Sequence, residues 1–296
     1  MQIRMALIVF GSLGVWLLAG CASPRSPVGG VGRDGSSQSR LPPEVAFNRD
    51  AGRGRLLMVT LRLASGEELP FVIDTGSGGS CLDASMEPKL GQAVGTEMMQ
   101  MWGKISKKNV YAMPPLYLGD VRLLTGDRVL TMDLKPLAGS GRVHLAGILG
   151  MDVWEHYCIQ LDFTAHKLRF LDDAHADNKS WGRAFPIVAL NDKDNRPAVA
   201  ENLLGKQGPH SLIDSCYDTT GWLMPVYYEQ WTNQASLPAA GEARAPDVRF
   251  GGETYPHTTL VEEKVEADGI GLPFLARHLV TLDFPRHMLY LKRTSR

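Results

Sequence analysis

Phe71-Val72-Ile73-Asp74-Thr75-Gly76-Ser77 is an apolar run that ends in a carboxylate and a turn of small residues. The same order returns at Ser211-Leu212-Ile213-Asp214-Ser215. Apolar residues leading into an Asp read as a buried strand that delivers a carboxylate at its end. Gly76 lets the backbone turn tightly there, and short hydroxyls can bond neighbouring groups. Asp-Thr-Gly alone marks many ordinary turns. Taken alone, Asp214 also reads as a turn carboxylate, so its match to Asp74 carries the weight.

Working outward, the two copies extend into an internal repeat. Upstream, Val59-Thr60-Leu61-Arg62-Leu63 has a counterpart in Val199-Ala200-Glu201-Asn202-Leu203. Downstream, Leu149-Gly150-Met151-Asp152-Val153-Trp154 falls over Ile270-Gly271-Leu272-Pro273-Phe274-Leu275. Ile159-Gln160-Leu161-Asp162-Phe163 then falls on Val280-Thr281-Leu282-Asp283-Phe284, and His166 on His287. Three matched pairs in one order predict two related lobes, 45–175 and 181–296, joined by a polar stretch. Asp162, Asp283, His166 and His287 read as strand-end and turn residues. Between the matches, short β-runs broken by Gly, Pro and Asn favour an all-β sandwich or barrel class. Leu56–Leu63 and Leu69–Ile73 around Ala64-Ser65-Gly66-Glu67 form a hairpin signal. Helical patterns are short, at Met151 to His156 and Phe274 to His278.

Phe71 to Ser77 resembles the hydrophobic-hydrophobic-Asp-Thr-Gly-Ser element of the pepsin-like and retropepsin-like aspartic peptidases. Gly147-Ile148-Leu149-Gly150 resembles the hydrophobic-hydrophobic-Gly element that packs behind that loop in the family. The resemblance implies an all-β fold of two β-barrel lobes with the active-site cleft between them. It implies an aspartic endopeptidase in which Asp74 and Asp214 share a proton and activate a water, with no metal or organic cofactor. Paired carboxylates sharing a proton in aspartic proteases are a general worked example of coupled titration. Thr75 and Ser215 fall where the family's hydroxyls bond across the lobe interface. Gly76 and Ser77 complete the first loop, the Ser77 hydroxyl standing where the family supports the aspartate. Met101, Trp102 and Gly103 stand where the family carries its substrate-covering flap, and equally suit a core hairpin. The stretch from Asp214 to Gly271 is shorter than that from Asp74 to Gly150, which suits a single flap in the first lobe.

The second loop departs from the pattern. Cys216 stands where Gly is expected, and Tyr217 faces Ser77 in the alignment. A position needing φ > 0 would be strained by Cys, whereas one needing only a small residue accepts it. If the altered loop displaces Asp214, the alternative is a catalytically inactive lipoprotein that binds peptide or protein partners. Cys216 as a nucleophile with His210 or His257 has nothing to orient it.

The chain's 296 residues end this fold at the N-terminal side with a different kind of sequence. Arg4, the apolar run Met5 to Leu18 and Leu18-Ala19-Gly20-Cys21 read as a secretory signal over 1–21. Its ending resembles a bacterial lipobox with Cys21 as the lipidated residue. Residues 22–44, rich in Gly, Ser, Pro and Arg, read as a flexible tether. The expectation is a bacterial envelope protein held to a membrane by its N-terminal lipid. Ala22 directs it to the periplasmic face of the outer membrane if the host is Gram-negative. Lys and Arg number 31 against 32 Asp and Glu, so no charge excess points to nucleic acid. Both lobes in one chain suit a monomer acting on a peptide or protein substrate. Cys81, Cys158 and Cys216 leave at least one thiol unpaired within a monomer. No zinc spacing of Cys and His occurs, and no metal site is expected.

Overall fold

The computed structural model describes residues 41, 44–101, 104–138, 143–171, 180–190, 195–235 and 243–294. The signal segment with Cys21, nearly all of the tether, and Trp102 and Gly103 lie outside the described residues. No helix among the described residues is long and apolar enough to cross a membrane.

Strands dominate, in three sheets. The first half contributes nine strands to one sheet, and the second half contributes six to another. A third sheet of six strands draws on both halves. In the first sheet Met58–Leu63 and Glu68–Ile73 form the expected antiparallel hairpin, with Leu61 opposite Leu69. Gly147–Leu149 then runs parallel to Glu68–Ile73 on its other side, Leu149 opposite Ile73. Phe71, Val72 and Ile73 are all fully buried, as suits a strand covered on both faces.

The second half repeats this plan. Ala198–Glu201 pairs with Gln207–Asp214, and Asp268–Gly271 runs parallel to it with Ile270 opposite Ile213. The offset between Asp-loop equivalents such as Thr75 and Ser215 is 140 residues. For the later strands it falls to 121, the separation of Gln160 and Thr281. The shortfall lies between the Asp loop and the following Gly.

That shared sheet shows the symmetry directly. Cys158–Asp162 lies antiparallel to His278–Asp283, and Gln160 sits opposite its own repeat equivalent, Thr281. An approximate two-fold axis therefore passes between them, where the Gln160 amide donates to the Thr281 hydroxyl at 2.9 Å. His166 and His287 are the two non-glycine residues with positive φ among the described residues, at 56° and 54°. They close the same turn in each half. Asp162 accepts the Thr164 and Ala165 N–H groups, and Asp283 accepts that of Arg286, so both act as turn carboxylates.

Three expectations need correction. The sheets are open in their hydrogen bonding, and no strand pair closes a barrel among the described residues. Pro225–Ala235 is an eleven-residue helix, longer than any the sequence predicted; it buries Tyr228, Trp231 and Thr232 and starts on a Pro. Glu44 begins a strand, Glu44–Ala46, rather than ending the tether.

His278 marks a buried acid-sensitive point of the second half. Its Nδ1 lies 3.0 Å from the Phe274 carbonyl and its Nε2 lies 2.9 Å from the Tyr255 hydroxyl. Burial pulls its pKa down from 6.5 to about 4. The folded state thus favours the neutral ring, so its contribution is intact above pH 6.5 and declines as pH falls towards 4. The loss amounts to about 3 kcal/mol at most. Urea midpoints measured at pH 7, 5.5 and 4 should fall less steeply in His278→Gln than in the wild type.

Candidate active site

The two Asp loops meet back to back. The Thr75 hydroxyl donates to the Ile213 carbonyl at 2.6 Å and accepts the Ser215 N–H at 3.1 Å. The Ser215 hydroxyl donates to the Ile73 carbonyl at 2.8 Å and accepts the Thr75 N–H at 3.0 Å. Four buried backbone groups at the ends of the Asp strands are satisfied this way, each from the opposite half. Behind each loop the Gly element fits as predicted. Met151 N–H donates to the Ser77 carbonyl and Leu272 N–H to the Tyr217 carbonyl, both at 2.9 Å. A Cβ on Gly150 would overlap the backbone of Gly79, and one on Gly271 would overlap the Thr219 carbonyl.

This frame brings Asp74 and Asp214 together, both buried. Asp74 accepts the Gly76 N–H at 2.9 Å and also the Ser77 N–H. Asp214 accepts the equivalent pair, Cys216 N–H at 2.8 Å and Tyr217 N–H at 3.0 Å. A Cβ on Gly76 would overlap the Asp214 carboxyl, which places that carboxyl against the first loop. Gly76 is needed for room, since its φ is not positive. Cys216 also lacks a positive φ, so its side chain imposes no left-handed strain.

Both carboxyls are hard to ionise. Burial, and then the charge of Asp214, raise the Asp74 pKa well above the usual carboxylate range. Burial raises Asp214 to about 6 against the pull of two N–H donors and of Arg196. Arg196 is a buried guanidinium 3.2 Å from Glu266, and no sequence motif pointed to it. Its repeat equivalent is Leu56, so the positive charge serves Asp214 without a counterpart for Asp74. The visible signal was positional: a lone Arg just ahead of Ala198–Glu201, the strand that pairs with the one leading to the second Asp.

Other predicted residues fall as follows. The Ser77 hydroxyl donates to the Gly79 carbonyl at 2.7 Å, so Ser77 reaches Asp74 through its backbone N–H, correcting the expected hydroxyl support. Met101 ends the strand Gly95–Met101, which forms a hairpin with Lys104–Ala112. The Met99 side chain of this hairpin is buried in one apolar cluster with Val72, Cys81, Ile148 and Cys216, which sets the hairpin beside the Asp loops. The second half has a different hairpin, Ala243–Phe250 with Glu253–Glu262. A Cβ on either glycine of its turn, Gly251 or Gly252, would crowd Arg183, and Gly251 also packs on Phe185, on the shared sheet. Tyr217 turns its ring onto Trp222 and donates its hydroxyl to Glu263 at 2.7 Å. Cys81, Cys158 and Cys216 are buried and form no disulfide. Cys158 packs with Trp181 and Tyr290, in a cluster separate from that of Cys81 and Cys216. No group of His, Cys, Asp and Glu among the described residues could hold a metal ion.

The chain is mostly β, and its fold is similar to that of solved structures. One of these is the crystal structure of Basic 7S globulin from soybean. It matches at a TM-score of 0.54 and 11% identity, over 85% of this chain and 95% of that one. No family model matches the chain, and no curated protein matches it.

Proposed function

We propose that this protein is an aspartic endopeptidase working through Asp74 and Asp214. The observation that carries the reading is the symmetric presentation of two buried carboxyls, each held by two backbone N–H groups and locked together through Thr75 and Ser215. Two such carboxyls share one proton, and the pair titrates as a unit. Arg196 favours the charge on Asp214 and leaves the proton on Asp74. Ionised Asp214 takes a proton from water as that water attacks the peptide carbonyl. Asp74 gives its proton to the carbonyl oxygen, forming a gem-diol. Collapse breaks the C–N bond, with a proton passing to the departing amine. An extended peptide would lie between the Asp loops and the hairpin Gly95–Met101/Lys104–Ala112, held by main-chain hydrogen bonds. Lipidation at Cys21 would fix the enzyme on the bacterial envelope, acting on peptide or protein substrates as a monomer.

The binding-only alternative required the altered second loop to move Asp214 away. Asp214 instead keeps both N–H donors and lies against Gly76. The test is digestion of a mixed peptide library by the full-length protein, read by mass spectrometry, with a peptide bearing a secondary alcohol at the scissile position as inhibitor. Cleavage that the inhibitor stops supports the proposal; a folded protein that cuts nothing between pH 3 and 8 refutes it. Cleavage should rise as pH passes about 6, because burial raises Asp214 to that value and one carboxyl must be ionised. A rate that peaks near pH 3 and has fallen away by pH 6 would contradict that assignment.

A further inference from the structure

We propose that Cys216 sets the substrate preference of the site. Its side chain fills, from the second half, the place beside the Asp loops where a substrate side chain would otherwise rest on the first half, so cleavage falls next to a small residue. Cys216 acts in this way only if Asp74 and Asp214 are the reacting pair, the reading proposed above.

The large sheet of the first half has two apolar faces. Side chains alternate along each strand, so Phe71, Ile73, Leu82 and Leu149 enter the main core while Val72, Cys81 and Ile148 enter a smaller cluster. These three form one row across neighbouring strands, Val72 opposite Ile148 and Ile148 opposite Cys81. Asp74 follows Val72 by two residues, so the row runs up to the first Asp loop. Met99 joins the same cluster from the hairpin Gly95–Met101/Lys104–Ala112, under which the peptide is proposed to lie. Leu56, Met58 and Leu130 pack along the cluster and are only half-buried. An apolar wall thus stands between the Asp loop and the hairpin, on the first-half side.

Cys216 is the one residue of the second half in this cluster among the described residues, and it is 4% exposed. Its own N–H donates to the Asp214 carboxyl at 2.8 Å, so the residue stands directly at the pair. The mirror position is Gly76, where a Cβ would overlap that carboxyl. Gly76 therefore sends no side chain towards the second half, whose own small cluster is built on Leu212, Tyr217 and Trp222. Leu212 is the repeat equivalent of Val72. The two flanks of a scissile bond meet different walls: one is occupied by the opposite loop, and the other is not. A branched or aromatic substrate side chain on the first-half flank would collide with the Cβ and sulfur of Cys216, whereas Gly, Ala or Ser would pass. Size exclusion of this kind is worth about 10- to 200-fold in kcat/KM per methylene.

Two measurements on the full-length protein test the proposal. In the first, peptides varied at both residues flanking the cut are digested by wild type, Cys216→Gly, Cys216→Ala and Cys216→Val. Wild type should prefer Ala over Leu at one flank. Cys216→Gly should raise the Leu-to-Ala ratio of kcat/KM at that flank by about 10- to 100-fold, and Cys216→Ala by less. Cys216→Val fills the place again and should keep the wild-type ratio. The ratio at the other flank should not move in any variant. An unchanged ratio in Cys216→Gly, or a uniform loss over all peptides, overturns the proposal. In the second, xenon is added under pressure to protein with isotope-labelled Met methyl groups, the signals being assigned through Met99→Leu and Met132→Leu. Both signals should shift in Cys216→Gly and stay fixed in wild type, because only the variant leaves an apolar hole beside them. No shift in the variant, or an equal shift in wild type, overturns the proposal whether or not the protein cuts peptides. Xenon uptake by Cys216→Gly with no cleavage by any of the proteins would refute the peptidase reading, and the preference with it, while showing that residue 216 fills that wall.

Discussion

Replacing either Asp74 or Asp214 by Asn should abolish peptide cleavage while making the protein more stable at neutral pH. The loss of activity follows from the roles. Asn cannot take a proton from water, and in place of Asp74 it cannot donate one through a shared carboxyl. A fall in kcat of about 10⁴-fold or more is expected. The gain in stability follows from the direction of the pKa shifts. Folding raises both pKa values above their ordinary 3.8, so the ionised forms are disfavoured in the native state. For a carboxyl shifted upward, stability is greatest below the unfolded pKa and declines as pH rises towards the folded pKa. With Asp214 raised to about 6, the cost at pH 7 reaches up to about 3 kcal/mol. Asn keeps the oxygen that accepts the Cys216 and Tyr217 N–H groups and carries no charge. Thermal melts at pH 7 should therefore rise by several degrees in Asp214→Asn, and the gain should vanish near pH 4. Equal melts at pH 7 would mean that the carboxyl is better solvated than its burial indicates. Such a trade of stability for function belongs to a site kept for chemistry, and an ordinary turn carboxylate would give the opposite sign.

The Asp strands, the first hairpin and the matched halves were legible because they rest on local signals. Apolar runs ending at Asp74 and Asp214 have one way to be buried, and Gly150 and Gly271 stand where backbone approaches backbone. The repeat kept one offset of 140 through the Asp strands and another of 121 through the later strands, in the same order, so one half predicted the other. What was not legible depends on contacts between distant residues. Barrel closure is a matter of which edges meet, and strand patterning is silent on that. The helix Pro225–Ala235 has its buried Tyr228 and Trp231 among polar neighbours, a pattern too weak to stand out. Arg196 reads as any surface Arg until the fold buries it beside Asp214. For Cys216 the sequence offered strain or tolerance, and the backbone excludes left-handed strain.

Thr75→Val should be the most destabilising single change at the junction of the halves. Val has nearly the shape of Thr, so the change removes an oxygen and little volume. That oxygen serves two buried backbone groups, donating to the Ile213 carbonyl and accepting the Ser215 N–H. Each group left without a partner costs about 1–3 kcal/mol, giving a loss of about 3–5 kcal/mol in all. Ser215→Ala strands the mirror pair, the Ile73 carbonyl and the Thr75 N–H, and should cost a similar amount. Because both bolts join the same two loops, and their hydroxyls lie 3.4 Å apart, the double variant should lose less than the sum. Catalysis should suffer with stability, since Thr75 and Ser215 directly follow the two carboxyls proposed to react. A shift of one strand end by about 1 Å is enough for a loss on the order of 100-fold. Thr75→Ser keeps the oxygen and should stay within a few-fold of wild type in both assays. Urea unfolding and kcat/KM on wild type and the four variants decide the matter. Additive costs in the double variant would mean that the two hydroxyls hold the halves independently, and full activity in Thr75→Val would separate the grip from the chemistry altogether.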